Sequence, residues 1–124
     1  MITHLSNLLD EDVKTRDGAA GETYESYGGH RALGAVYAKL PAGLGGDSAK
    51  ALRYLETAFT KGGNYTLNAI YYAEVLFATG DKVKARQTLD DLLKNDPKTY
   101  NPNRIPETID EFVEAARIRK TMGN

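Results

Sequence analysis

The feature that most constrains this chain is that it repeats itself at a fixed offset. Gly46-Asp47 returns as Gly80-Asp81, Lys50-Ala51 as Lys84-Ala85, and Leu55 as Leu89, each 34 residues later. A period of that length is too short for a domain and right for one supersecondary unit, which buries its apolar side only by stacking on a neighbour. Within the period, apolar residues recur at three- and four-residue spacing, the signature of helices rather than strands. The small residues have a packing reason. Two antiparallel helices approach closely only where one of them presents Gly or Ala, so Gly34, Ala51, Ala73 and Ala85 mark crossings. Tyr37, Leu55, Leu76 and Leu89 fill the space beside them.

The residue types resemble the tetratricopeptide repeat. Leu33-Gly34-x-x-Tyr37 matches its first helix, and Ala51, Leu55 and Ala58 match its second. Ala85, Leu89, Leu92 and Pro97 repeat the second helix and supply the closing proline. The expected fold is therefore all-α: tetratricopeptide-like stacked antiparallel helical hairpins, a fragment of an α-solenoid, with flanking N- and C-terminal helices. One domain is expected over 1–124, since a chain of 124 residues fits a single core. Its parts are an N-terminal helix and linker (1–26), a first repeat (27–65), a second repeat (66–99) and a C-terminal capping helix (106–122).

Local signals place the elements. Ile2, Leu5, Leu8, Leu9 and Val13 predict an amphipathic helix from Met1 to about Arg16, followed by a glycine-rich connection to Gly29. His30 opens a helix that Pro41 ends at Leu40. Asp47 caps a helix that stops at Gly62-Gly63, and Asn64 is placed to cap the next. Gly80-Asp81 turns the second hairpin, and Pro106 opens the last helix through Ile109, Phe112, Val113 and Ala116, with acids early and bases late. The first repeat departs from the period between Tyr37 and Gly46, where an insert at 41–46 makes it five residues longer than the ideal turn. Insertions in repeat proteins fall in loops and often border a binding face.

Composition bears on function mainly by exclusion. Sixteen Lys plus Arg against seventeen Asp plus Glu give no net field to gather nucleic acid or anionic lipid. No run approaches the ~20 apolar residues of a membrane span, and no basic leader precedes an apolar run at the N-terminus, so a soluble chain without membrane insertion is expected. There is no cysteine, and His4 and His30 share no metal-ligand spacing. Ser6, Ser26 and Ser48 lack a nucleophile-elbow context. Neither an enzyme, a metal site nor a cofactor is expected. Gly43-Leu44-Gly45-Gly46 precedes a helix but lacks the Gly-Lys-Ser/Thr of a phosphate loop, and Asp47 stands where the anion would sit. Asn64-Tyr65-Thr66 fits the glycosylation acceptor pattern, a short and common one.

A narrower resemblance rests on the glycine-proline insert. Gly28-Gly29-x-Arg31-x-Leu33-Gly34, then Leu40-Pro41-x-x-Leu44-Gly45-Gly46-Asp47, then Lys50-Ala51 is similar to the core of the bacterial T components associated with tripartite ATP-independent periplasmic (TRAP) transporters. His30 stands where that pattern has proline. The resemblance covers about residues 27–120 and implies a periplasmic or extracellular protein that forms oligomers and pairs with a solute-binding protein. In tetratricopeptide stacks the first helix of each hairpin lines the concave face. That implies a binding surface built from Arg31 and Lys39 of the first repeat with Ile70, Tyr71, Glu74 and Phe77 of the second. The expected function is a non-enzymatic scaffold for a protein, peptide or hydrophobic small-ligand partner. The alternative is a self-assembling homo-oligomer, because two repeats are fewer than the roughly three that usually cover each other.

Overall fold

A computed structural model describes residues 27–124. They form five α-helices: α1 (Gly28–Lys39), α2 (Ser48–Lys61), α3 (Thr66–Ala78), α4 (Lys82–Leu93) and α5 (Ile105–Thr121). A short 3-10 turn spans Ala42–Leu44, and there is no strand among the described residues. The all-α, tetratricopeptide-like hairpin architecture expected from the repeat is the one observed. The helix expected from Met1 to about Arg16, and the connection up to residue 26, lie outside the described residues. The chain divides into two compact units between Gly63 and Asn64. The first contains the α1–α2 hairpin, and the second contains the α3–α4 hairpin with α5 packed on it.

In the first unit, α1 begins two residues before His30. Gly28 and Gly29, read from the sequence as connection, form its first turn because Tyr27 turns the chain in and its carbonyl accepts from the Arg31 N–H at 3.0 Å. Tyr27 does so in the left-handed conformation, φ 65°. At the other end Leu40 is extended, as a residue before proline must be. Gly34 lies at the crossing: a Cβ there would stand 2.7 Å from Leu55 Cγ, and Leu55 and Ala51 are completely buried. His30 is more than a helix-start residue. It is buried between the rings of Tyr27 and Tyr54, at 5.4 and 5.3 Å, and Tyr54 stacks in turn on Tyr37 at 6.0 Å.

The insert is closed on itself. The Pro41 carbonyl accepts from the N–H groups of both Leu44 (2.9 Å) and Gly46 (3.0 Å). A Cβ on Gly46 would fall 1.8 Å from the Leu40 carbonyl oxygen, so this position requires glycine. Beyond the insert, the Asp47 N–H donates to the Tyr37 carbonyl at 3.2 Å, and in the second unit the Asp81 N–H donates to the Leu76 carbonyl at 2.9 Å. These are the same pair of repeat positions. The hairpin turn keeps its closing bond although five more residues separate the partners in the first repeat. Both aspartates then cap the following helix, accepting from the N–H of Lys50 (3.0 Å) and Lys84 (3.2 Å).

In the second unit, Ala73, Ala85 and Leu89 are completely buried where α3 and α4 cross, with Tyr72 and Leu76 beside them. Asn64 does not cap α3. Tyr65 occupies that position without a side-chain bond to the helix. The Asn64 Nδ2 instead donates to the Tyr100 carbonyl at 3.0 Å, and the Asn101 Nδ2 donates to the Asn64 carbonyl at 2.8 Å. Long-range partners were on offer, and they satisfied the side chain in place of the local N–H. The last helix also turns a different face inward from the one its sequence suggests. Thr108, Phe112 and Ala115 are buried, while Val113 and Ala116 are exposed. Small Ala115 admits close approach, and Phe112 meets Tyr100 edge-on at 5.4 Å. Arg119 of α5 fixes the pairing with α4 through Asp90, at 2.8 and 3.3 Å, and also donates to the Gly123 carbonyl.

Candidate functional site

α3 is apolar almost all round, as a helix covered on most sides should be, and what it leaves uncovered is therefore informative. Tyr71 and Phe77 are half-buried and Glu74 is exposed, so these three keep an accessible edge on a mostly buried helix. Ile70, expected beside them, is only 3% exposed and belongs to the core. The Lys82 ammonium lies 5.3 Å above the Phe77 ring, so one edge of that ring already has a cation on it.

The sequence reading missed the contribution of α5. Arg117 lies close enough to Glu74 for the carboxylate to raise its pKa, although its principal partner is Glu114, one turn earlier. That hydrogen bond in turn lowers the Glu114 carboxyl pKa. Arg117 of α5 is thus within electrostatic reach of the accessible edge of α3, and Val113 of the same helix is 68% exposed. The signal was present in the sequence as Ile109, Val113 and Ala116 at four- and three-residue spacing. It was hidden by Phe112, whose neighbouring apolar position invited all four into one stripe.

Arg31 and Lys39 belong to the unit before Gly63. Arg31 is 8% exposed, while Lys39 is exposed in the last turn of α1. The two residues thus differ in what they offer a partner, since Lys39 is exposed and Arg31 is almost wholly covered.

A second cluster joins the loop before α5 to the start of α3. Arg104 makes a bidentate pair with Glu111, at 3.0 and 2.8 Å, and its guanidinium lies 4.1 Å over the Tyr65 ring. The Glu111 hydrogen bonds raise the Arg104 pKa further. Together with the Asn64–Tyr100–Asn101 bonds, this holds the loop against the helix. Its polar groups are engaged with each other, which makes it a clasp rather than a site. Among the described residues no three His, Asp or Glu side chains gather as a metal site would need, and no helix is long and apolar enough to cross a membrane.

The 34-residue period, the small residues at both crossings and the conserved closing bond of both turns describe one kind of unit. Residues 45–102 match the tetratricopeptide repeat family model. The tetratricopeptide match takes in α2, α3 and α4 and begins at residue 45, inside the insert. Neither a search of curated proteins nor one of solved structures returns a match. Tetratricopeptide repeats are built to present surfaces to other proteins, since each stacked unit leaves one helical face open.

Proposed function

We propose that the chain is a non-enzymatic interaction scaffold that binds a protein partner or an extended peptide. The observation that carries this reading is the edge of α3, where Tyr71, Glu74 and Phe77 stay accessible beside Arg117 of α5. Two aromatic anchors with charges around them have the composition of a small interface, in which aromatics supply most of the binding energy and a polar rim excludes water. The finer reading, a T-component-like partner of a periplasmic solute-binding protein, is supported by the Leu40-Pro41-x-x-Leu44-Gly45-Gly46-Asp47 insert.

The test is selection of a displayed random-peptide library on the immobilised chain, followed by titration of the enriched peptides. Tyr71→Ala with Phe77→Ala is expected to weaken binding at least about tenfold, the loss of one modest anchor, with helical content by circular dichroism retained. Enriched peptides that bind the double variant with unaltered affinity would move the site elsewhere. Absence of any enrichment would count against the scaffold reading itself.

A further inference from the structure

α5 carries two apolar faces. One, through Thr108, Phe112 and Ala115, is buried in its own unit. The other runs along the helix through Ile105, Ile109, Val113 and Ala116, with Ile105 38% and Val113 68% exposed. At 3.6 residues per turn these four positions fall within about 80° of one another, a stripe about three turns long. The exposed edge of this stripe is bordered by Asp110 and Arg117, about 60° and about 40° from Val113 on the same side. Among the described residues Asp110 has no ion-pair partner, and Arg117 is held only by the exposed Glu114 and the more distant Glu74.

We infer that this stripe is the contact between two copies of the chain, with their α5 helices antiparallel about a twofold axis through Val113. The charges favour this occupant and this direction. In such a pair, residues equally spaced before and after Val113 face each other, and flanking residues meet others on the same side of the stripe. Asp110 then falls within one residue, about 1.5 Å along the axis, of Arg117 of the second copy, and the symmetry makes the same pair again. On the other side of Val113, Ile109 falls in the same way within one residue of Ala116 of the second copy, so an apolar pair mirrors the charged one. A parallel pair would instead set Asp110 against Ile109 and Arg117 against Ala116 of the second copy, leaving both charges without a partner across the contact. A contact of one helix face is at the low end of interface size, so the dimer is weak and reversible. The inference shares Arg117 with the partner-binding reading above but rests on the α5 stripe, so it stands whether or not the edge of α3 binds a partner.

The absence of cysteine makes a direct test available. Facing helices about 8–10 Å apart bring the Cα atoms of facing residues to about 3.5–5.5 Å, which overlaps the span of a disulfide. Val113→Cys is therefore expected to form an interchain disulfide under mild oxidation much faster than Lys98→Cys, an exposed control in the loop after α4. Sedimentation from low micromolar to millimolar concentration should show the full chain dimerising. Val113→Glu should remain monomeric with an unaltered melting temperature, because the side chain it replaces is already in solvent. Asp110→Arg and Arg117→Asp should each weaken the dimer, and the two together should restore it. A wild type that is monomeric throughout, a Val113→Cys chain that couples no faster than the control, or a double charge exchange without rescue would each overturn the inference.

Discussion

Thr66 and Thr108 are completely buried, and their hydroxyls have no hydrogen-bond partner among the described residues. A hydroxyl taken out of water without a partner costs about 1–3 kcal/mol, and its replacement by a group of the same shape removes that cost. Thr66→Val and Thr108→Val are each expected to stabilise the protein by about 1 kcal/mol, read as a higher urea midpoint. A lower midpoint would show that the hydroxyl has a role in the first turn of its helix. Tyr100 gives a pH-dependent counterpart. Burial pushes its phenol pKa up, so the native state retains a proton that the unfolded chain releases near pH 10. Stability from this group is fully present below that pH and falls as pH rises through the higher folded value. Tyr100→Phe should flatten the alkaline decline in denaturant midpoint. An equally steep decline in the variant would assign it to other tyrosines.

At the scale of the element, the hairpins were legible because small residues at a crossing have no substitute. Gly34 shows how narrow the tolerance is. Alanine there gains roughly 1 kcal/mol of helix propensity, but its Cβ would stand 2.7 Å from Leu55 Cγ in a site with no slack. Overpacking costs about 1–3 kcal/mol, so Gly34→Ala should destabilise on balance. Ala51→Leu and Ala85→Leu, which add three carbons at fully buried positions, should do so by more, and thermal melts unchanged by these substitutions would refute the repeat alignment. Two elements were read less well. Asn64 looked like a cap because a cap is a local signal, whereas its partners Tyr100 and Asn101 lie 36 and 37 residues away. The inward face of α5 was misjudged because periodicity shows that apolar positions exist and leaves open which of two overlapping stripes a neighbour will cover.

Across the whole molecule, the architecture followed from a repeated pattern, while the accessible edge did not, because exposure depends on which elements come to lie beside a helix. Tyr71, Glu74 and Phe77 were named from α3 alone, and Ile70 with them. Only the packed unit separates the buried Ile70 from its neighbours and brings Arg117 of α5 to the edge. The turn of the first hairpin has a bearing on how such a chain can change over time. Its closing bond, from Asp47 to Tyr37, is the one the second hairpin makes from Asp81 to Leu76 with five fewer residues between. The geometry of the hairpin is therefore insensitive to the length of its loop. The excursion over Pro41–Gly46 is sealed by its own bonds, and at Gly43 an added side chain would meet open space. New sequence can be admitted there, lengthened or exchanged without the helices registering it, so that this turn is where a repeat of fixed period acquires individuality.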